Sequence, residues 1–226
     1  MKALAKPMME ISSPAAPLAI ASAATTLVLL ASLHILSPEF EPSWRMVSEY
    51  ANGQYGWVLS LMFITWAISS WALAFAIWSQ VRTTAGRIGL IFLIIAGIGE
   101  AMGSMFDINH PLHGLAAMIG IPSLPVAAML ISTNLSHIQG WSAARKALLW
   151  TANLTWVSLV LLAATFAILI VTYTQAGGGM TAEVPTVLPP GVIGLVGWTN
   201  RLLIVVYCMW VATVAGQAIK LRKQES

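Results

Sequence analysis

The stretch GRIGLIFLIIAGIGEAMGSMFDINHPLHG, residues 86–114, decides the fold. Between Arg87 and Phe106 it holds one ionisable residue, Glu100, in an otherwise apolar and glycine-rich run. At 1.5 Å per residue, a helix over 87–106 spans about 30 Å, the thickness of a hydrocarbon layer. Lipid offers no partners for backbone N–H and C=O groups, so a run of this kind is helical. It ends in a polar turn that places Asp107, His110 and His113 within seven residues.

Five further stretches have the same character: 15–36, 55–80, 112–135, 148–174 and 192–219. The whole chain agrees with them. Of its 226 residues 58% are hydrophobic and only 8% charged, with a mean hydropathy of +0.81. A water-soluble domain carries about 25% charged residues. The expected fold is therefore an all-α polytopic membrane protein with six transmembrane helices. Residues 15–220 make one six-helix domain, with short tails at 1–14 and 221–226. The first apolar run is about 20 residues long, beyond the 7–15 of a signal-peptide core, and reads as an uncleaved spanning helix. The one cysteine, Cys208, lies in an apolar run and has no intrachain partner.

A pI near 9.2 invites a nucleic-acid reading, which the placement of the charges rejects. Lys2, Lys6, Arg82, Arg87, Arg145, Lys146, Lys220, Arg222 and Lys223 flank the apolar runs and fall on one side of a six-pass chain. By the positive-inside rule that side is the cytoplasm, both termini are cytoplasmic, and the location is the cell (inner) membrane. The other side carries Arg45 with Glu39, Glu41, Glu49, Asp107 and Glu183. Trp57 and Trp198 at outer helix ends, and Trp78 and Trp150 at inner ends, read as interfacial anchors. The segment 175–191 is a Gly/Pro-rich outer loop, and 37–54 is a second outer loop richer in polar groups.

Several polar residues need a reason. In FDINHPLHG, Asn109 and Pro111 suit the start of a helix, which leaves two histidines and an acid unexplained. Asp107, His110 and His113 at three-residue spacing could hold a divalent metal, with Glu49 as a further oxygen donor. Neither HExxH nor CxxC is present, and a polar turn at a helix start explains the same residues. Glu100 sits about 10 Å below the end of its helix. An ionised acid near mid-membrane costs about 2.5–3.5 kcal/mol on insertion scales, so it should face protein. Glu100, Ser104 and Asp107 share one helical face. Gly99 and Gly103 form a small-xxx-small pattern whose meaning is close helix packing. Arg201 falls near the outer interface, where pairing with Asp107 or Glu49 competes with simple snorkelling. His34 lies in the same region. An axial His34–His113 pair for haem lacks any supporting motif. Pro122 and Pro125 lie inside the fourth helix and each removes a backbone donor.

Three segments, SEYANGQYGW (48–57), FDINHPLHG (106–114) and GLVGWTNRLL (194–203), resemble the signature segments of a bacterial and archaeal membrane family, domain of unknown function 998. Its marks are an acid–Tyr pair (Glu49, Tyr50) before the second helix, a polar turn ending in histidine before the fourth, and an arginine in the sixth. The resemblance spans about residues 15–220. It implies a multi-pass membrane protein and carries no established activity.

Glu49, Tyr50, Glu100, Asp107, His110, His113 and Arg201 are expected to converge in an outward-facing pocket between the second, third, fourth and sixth helices. Three functions fit such a pocket. One is binding or assembly, of a lipid head group or a partner protein, with Arg201, Tyr50 and Arg45 as the anion-binding groups. The second is a metal-dependent hydrolase with Asp107, His110 and His113 as ligands and Glu49 or Glu100 as base. The third is a small proton-coupled carrier in which Glu100 titrates.

Overall fold

The computed structural model describes residues 14–178 and 186–225. Apart from Pro14, the expected N-terminal tail lies outside the described residues, as does 179–185 of the expected Gly/Pro-rich loop. Six helices follow one another: α1 (Ala15–Leu36), α2 (Gly56–Ile77), α3 (Thr84–Met105), α4 (His113–Ser136), α5 (Arg145–Gln175) and α6 (Val196–Glu225). Short 310 turns, Val47–Asn52 and Gln139–Ala144, precede α2 and α5. All six helices are long and apolar enough to cross a membrane. Each helix packs on the next in sequence, and α6 closes the ring against α1 while also touching α2. Side-chain bonds fix the two ends of this bundle. The Asn109 amide donates to Asn52 at 2.8 Å, tying the α3–α4 turn to the loop before α2. At the opposite end the Asn134 amide donates to Thr83 at 2.6 Å. The first is the loop end of the bundle and the second its basic end.

The packing surfaces are small and polar, and the outer surfaces are large and apolar. On α1 the buried set Ala15, Ala16, Ala19, Ser22, Ala23, Thr26, Leu30 and Leu33 recurs every three or four residues. On α5, Thr151, Thr155, Ser158, Leu162 and Thr165 do the same. Meanwhile Val28, Phe75, Met118, Val157 and Val160 are exposed. Lipid tails are as apolar as leucine, so helices associate through close approach and hydrogen bonds rather than apolar burial. Thr26 bonds Thr65 at 3.0 Å, and Thr165 bonds Thr199 at 2.7 Å. The closest approach is α3 on α4: a Cβ on Gly99 would overlap the Gly120 backbone. Trp57 and Trp198 at the loop end, and Trp78 and Trp150 at the basic end, are all exposed, as membrane-interface anchors require.

α4 runs unbroken through Pro122 and Pro125. Pro125 has no N–H to offer the carbonyl of Ile121, four residues earlier. Tyr207 of α6 supplies the missing donor, its hydroxyl reaching Ile121 O at 2.7 Å. A backbone acceptor freed by proline thereby becomes a link between helices that otherwise scarcely meet.

Candidate functional site

The loop end holds two separate polar assemblies. The first is built around Arg201, in the second turn of α6 and 5% exposed. Gly197, one turn earlier, lets the loop backbone lie directly on the helix, since a Cβ there would overlap Pro42 O and Arg45 O. Those carbonyls then converge on Arg201. Its Nη1 donates to Arg45 O at 2.7 Å, Gly197 O at 2.9 Å and Pro42 O at 3.3 Å. Nη2 donates to the Tyr50 hydroxyl at 2.9 Å, and Nε to His34 Nε2 at 2.8 Å. His34 Nδ1 faces Leu30 O at 2.8 Å. A carbonyl only accepts, so Nδ1 carries the hydrogen and Nε2 offers Arg201 its lone pair. Four of the five guanidinium N–H groups are thus engaged by neutral acceptors.

The expected pairing of Arg201 with Asp107 or Glu49 is corrected by this geometry. Among the described residues no carboxylate lies within 4.0 Å of Arg201. Glu49 instead takes Arg45, Oε2 to Nη1 at 2.6 Å, while its Oε1 accepts from the Met46 N–H at 2.8 Å. The reason is the loop's fold. Glu49, in the first turn of the 310 helix Val47–Asn52, closes a capping box on the Met46 N–H and takes Arg45 four residues back, while the carbonyls of Pro42 and Arg45 meet Arg201. Arg45 also lies over the Trp44 ring, 4.1 Å from its centroid.

The second assembly is a cavity of about 80 Å³ between α2, α3, α4 and α6, walled at one end by Met46, Val47 and Ser48. That is room for several water-sized groups. Most of the lining is apolar or aromatic, with Phe63, Trp66, Tyr207, Ile121, Leu203 and Ile204 prominent. Glu100 also lines it and is 5% exposed. Its Oε2 accepts from the Ser70 hydroxyl at 2.8 Å, and Oε1 has no partner among the described residues. His113 and Asn200 contribute the other polar lining groups, with Ser48. The Asn200 carboxamide oxygen accepts from Val47 N–H at 2.9 Å, which leaves its NH2 without an acceptor among the described residues.

The seven residues expected in one pocket therefore do not converge. Glu100 and His113 line the cavity; Arg201 and Tyr50 form the clamp beside it; Glu49 pairs with Arg45. Asp107 and His110 are exposed residues of the α3–α4 turn. Asp107 Oδ1 accepts from Asn109 N–H at 2.9 Å. His110 accepts from Leu112 N–H at 3.1 Å and stacks on Phe106 with centroids 4.5 Å apart. His113 Nδ1 donates to Phe106 O at 2.9 Å. Each of the three thus bonds the backbone of its own turn, and among the described residues no three His, Cys, Asp or Glu side chains gather as a metal-ligand group. The sequence did not single out Ser70, Trp66, Asn200 or Tyr207. A serine, a tryptophan or a tyrosine in an apolar run carries no mark of which neighbour it will meet.

A family model described as Protein of unknown function (DUF998) matches residues 19–217, from the first turns of α1 almost to the end of α6. The chain belongs to this family. Comparison with curated proteins and with solved structures gave no match. The DUF998 match takes in both assemblies, since the clamp, the cavity and the polar turn all lie inside 19–217.

Proposed function

We propose that this DUF998 protein binds a small molecule within the membrane, in the cavity beside Glu100, beneath a loop held shut by Arg201. One observation carries the reading. Glu100 is a buried carboxyl with a single side-chain partner, Ser70, and it borders open space instead of packed side chains. A group so costly to place in a membrane is kept where it meets something. The binding role first assigned to Arg201 moves to this cavity, because four of the five Arg201 N–H groups are occupied within the chain. A metal-dependent hydrolase would require Asp107, His110 and His113 to turn toward one ion, and among the described residues they form no such group. A proton-coupled carrier would use the same Glu100, and differs in needing the cavity to open at both ends of the bundle. The positive-inside pattern supports a cell-membrane orientation with the basic end cytoplasmic and the cavity toward the outside.

Native mass spectrometry of protein purified from membranes tests the binding role. The expected spectrum shows a co-purifying small molecule, one per chain, that is absent from Ala117→Trp, in which the cavity is filled. An adduct unaffected by Ala117→Trp, or no adduct from any preparation, would count against it.

A further inference from the structure

We propose that the ligand of this cavity is an amphipathic organic cation, an alkyl- or aryl-bearing amine or ammonium. The inference rests on the binding role just proposed and adds the chemical class. Two features of the cavity wall specify it independently. Glu100 presents Oε1 without a partner, and among the described residues no basic side chain lies within 4.0 Å of its carboxylate. A cationic group on the ligand supplies the missing counter-charge. Around it stand three aromatic rings from two helices. Phe63 and Trp66 stack with centroids 6.2 Å apart and planes at 15°, and Trp66 meets Tyr207 edge-on at 6.1 Å and 62°. Ring faces attract ammonium groups, and the attraction grows when water is excluded.

Leu203, Ile204 and Ile121 complete the lining with apolar surface for the ligand's carbon bulk.

Two probes that differ by one replacement isolate the charge: (2-phenoxyethyl)trimethylammonium and its neutral carbon isostere 3,3-dimethylbutyl phenyl ether. Equilibrium binding is measured with the full chain in nanodiscs. The cation is expected to bind at one per chain, about tenfold or more tighter than the neutral ether. Glu100→Gln should erase that preference while leaving the neutral ether unchanged. Equal binding of the two to the unaltered protein would overturn the cation assignment and leave the binding site standing. Failure of both to bind would overturn the binding role itself and mark the cavity as a water site.

Discussion

Arg201 shows how a membrane protein can bury a cation without a counter-ion at hydrogen-bonding distance. The planar fork reaches three carbonyls, a phenol and an imidazole at once, a geometry that a lysine ammonium cannot reproduce. Arg201→Lys should therefore fail to restore what Arg201→Gln loses, and both should lower stability by about 2–5 kcal/mol through the acceptors left unmet. Thermal unfolding in detergent measures this, and a wild-type midpoint for Arg201→Lys would remove the clamp from the account. His34→Ala strands one N–H of the same fork and should cost about 1–3 kcal/mol. Added to Arg201→Gln it should cost little more, because the two changes delete one bond. Of this arrangement the sequence disclosed Arg201, Tyr50 and Glu49 as residues needing partners, but not who the partners were. Charge suggested acids for Arg201. Backbone carbonyls were invisible to that reasoning, since a loop carbonyl has no residue letter, and the permission for it to approach lies in Gly197, which reads as any helical glycine.

Helix existence was legible and helix ends were not. The expected runs 148–174 and 192–219 become Arg145–Gln175 and Val196–Glu225. Hydropathy marks where the lipid stops, whereas a helix continues into water as long as its backbone bonds do, here past Lys220, Arg222 and Lys223. The third helix begins at Thr84, before Arg87, because the Thr83 hydroxyl caps it by accepting from Gly86 N–H at 3.1 Å. Packing between elements yields two predictions. Gly99→Val forces α3 off the Gly120 backbone and should destabilise by about 1–3 kcal/mol or more, whereas Gly114→Ala, with open space around it, should be nearly neutral. Tyr207→Phe leaves Ile121 O without its donor and should cost about 1–3 kcal/mol. In a Pro125→Ala background, where the backbone N–H returns to Ile121 O, the same change should cost measurably less. Equal costs in the two backgrounds would mean that Tyr207 is not replacing the proline's missing bond.

The whole molecule is a ring of six helices whose loop end and basic end are chemically unlike. If the basic end is cytoplasmic, a cysteine placed at the exposed Asn109 in a Cys208→Ser background should react with an impermeant maleimide in intact cells. One at the exposed His137 should react only after permeabilisation. The reverse pattern would invert the proposed orientation. Six helices long and apolar enough to cross a membrane could be read from the apolar runs along the sequence, because lipid as a solvent tolerates so few arrangements. The cavity could not, because it depends on α4 and α6 standing apart across the ring, a property of packing that no single run of residues encodes. The most direct test of the account is an electron cryo-microscopy map of the native protein in nanodiscs, at a resolution that shows ordered water. The account predicts a non-protein density larger than water, in contact with Glu100 Oε1. A cavity closed by side chains packed on Glu100, or one holding separate waters alone, would contradict it.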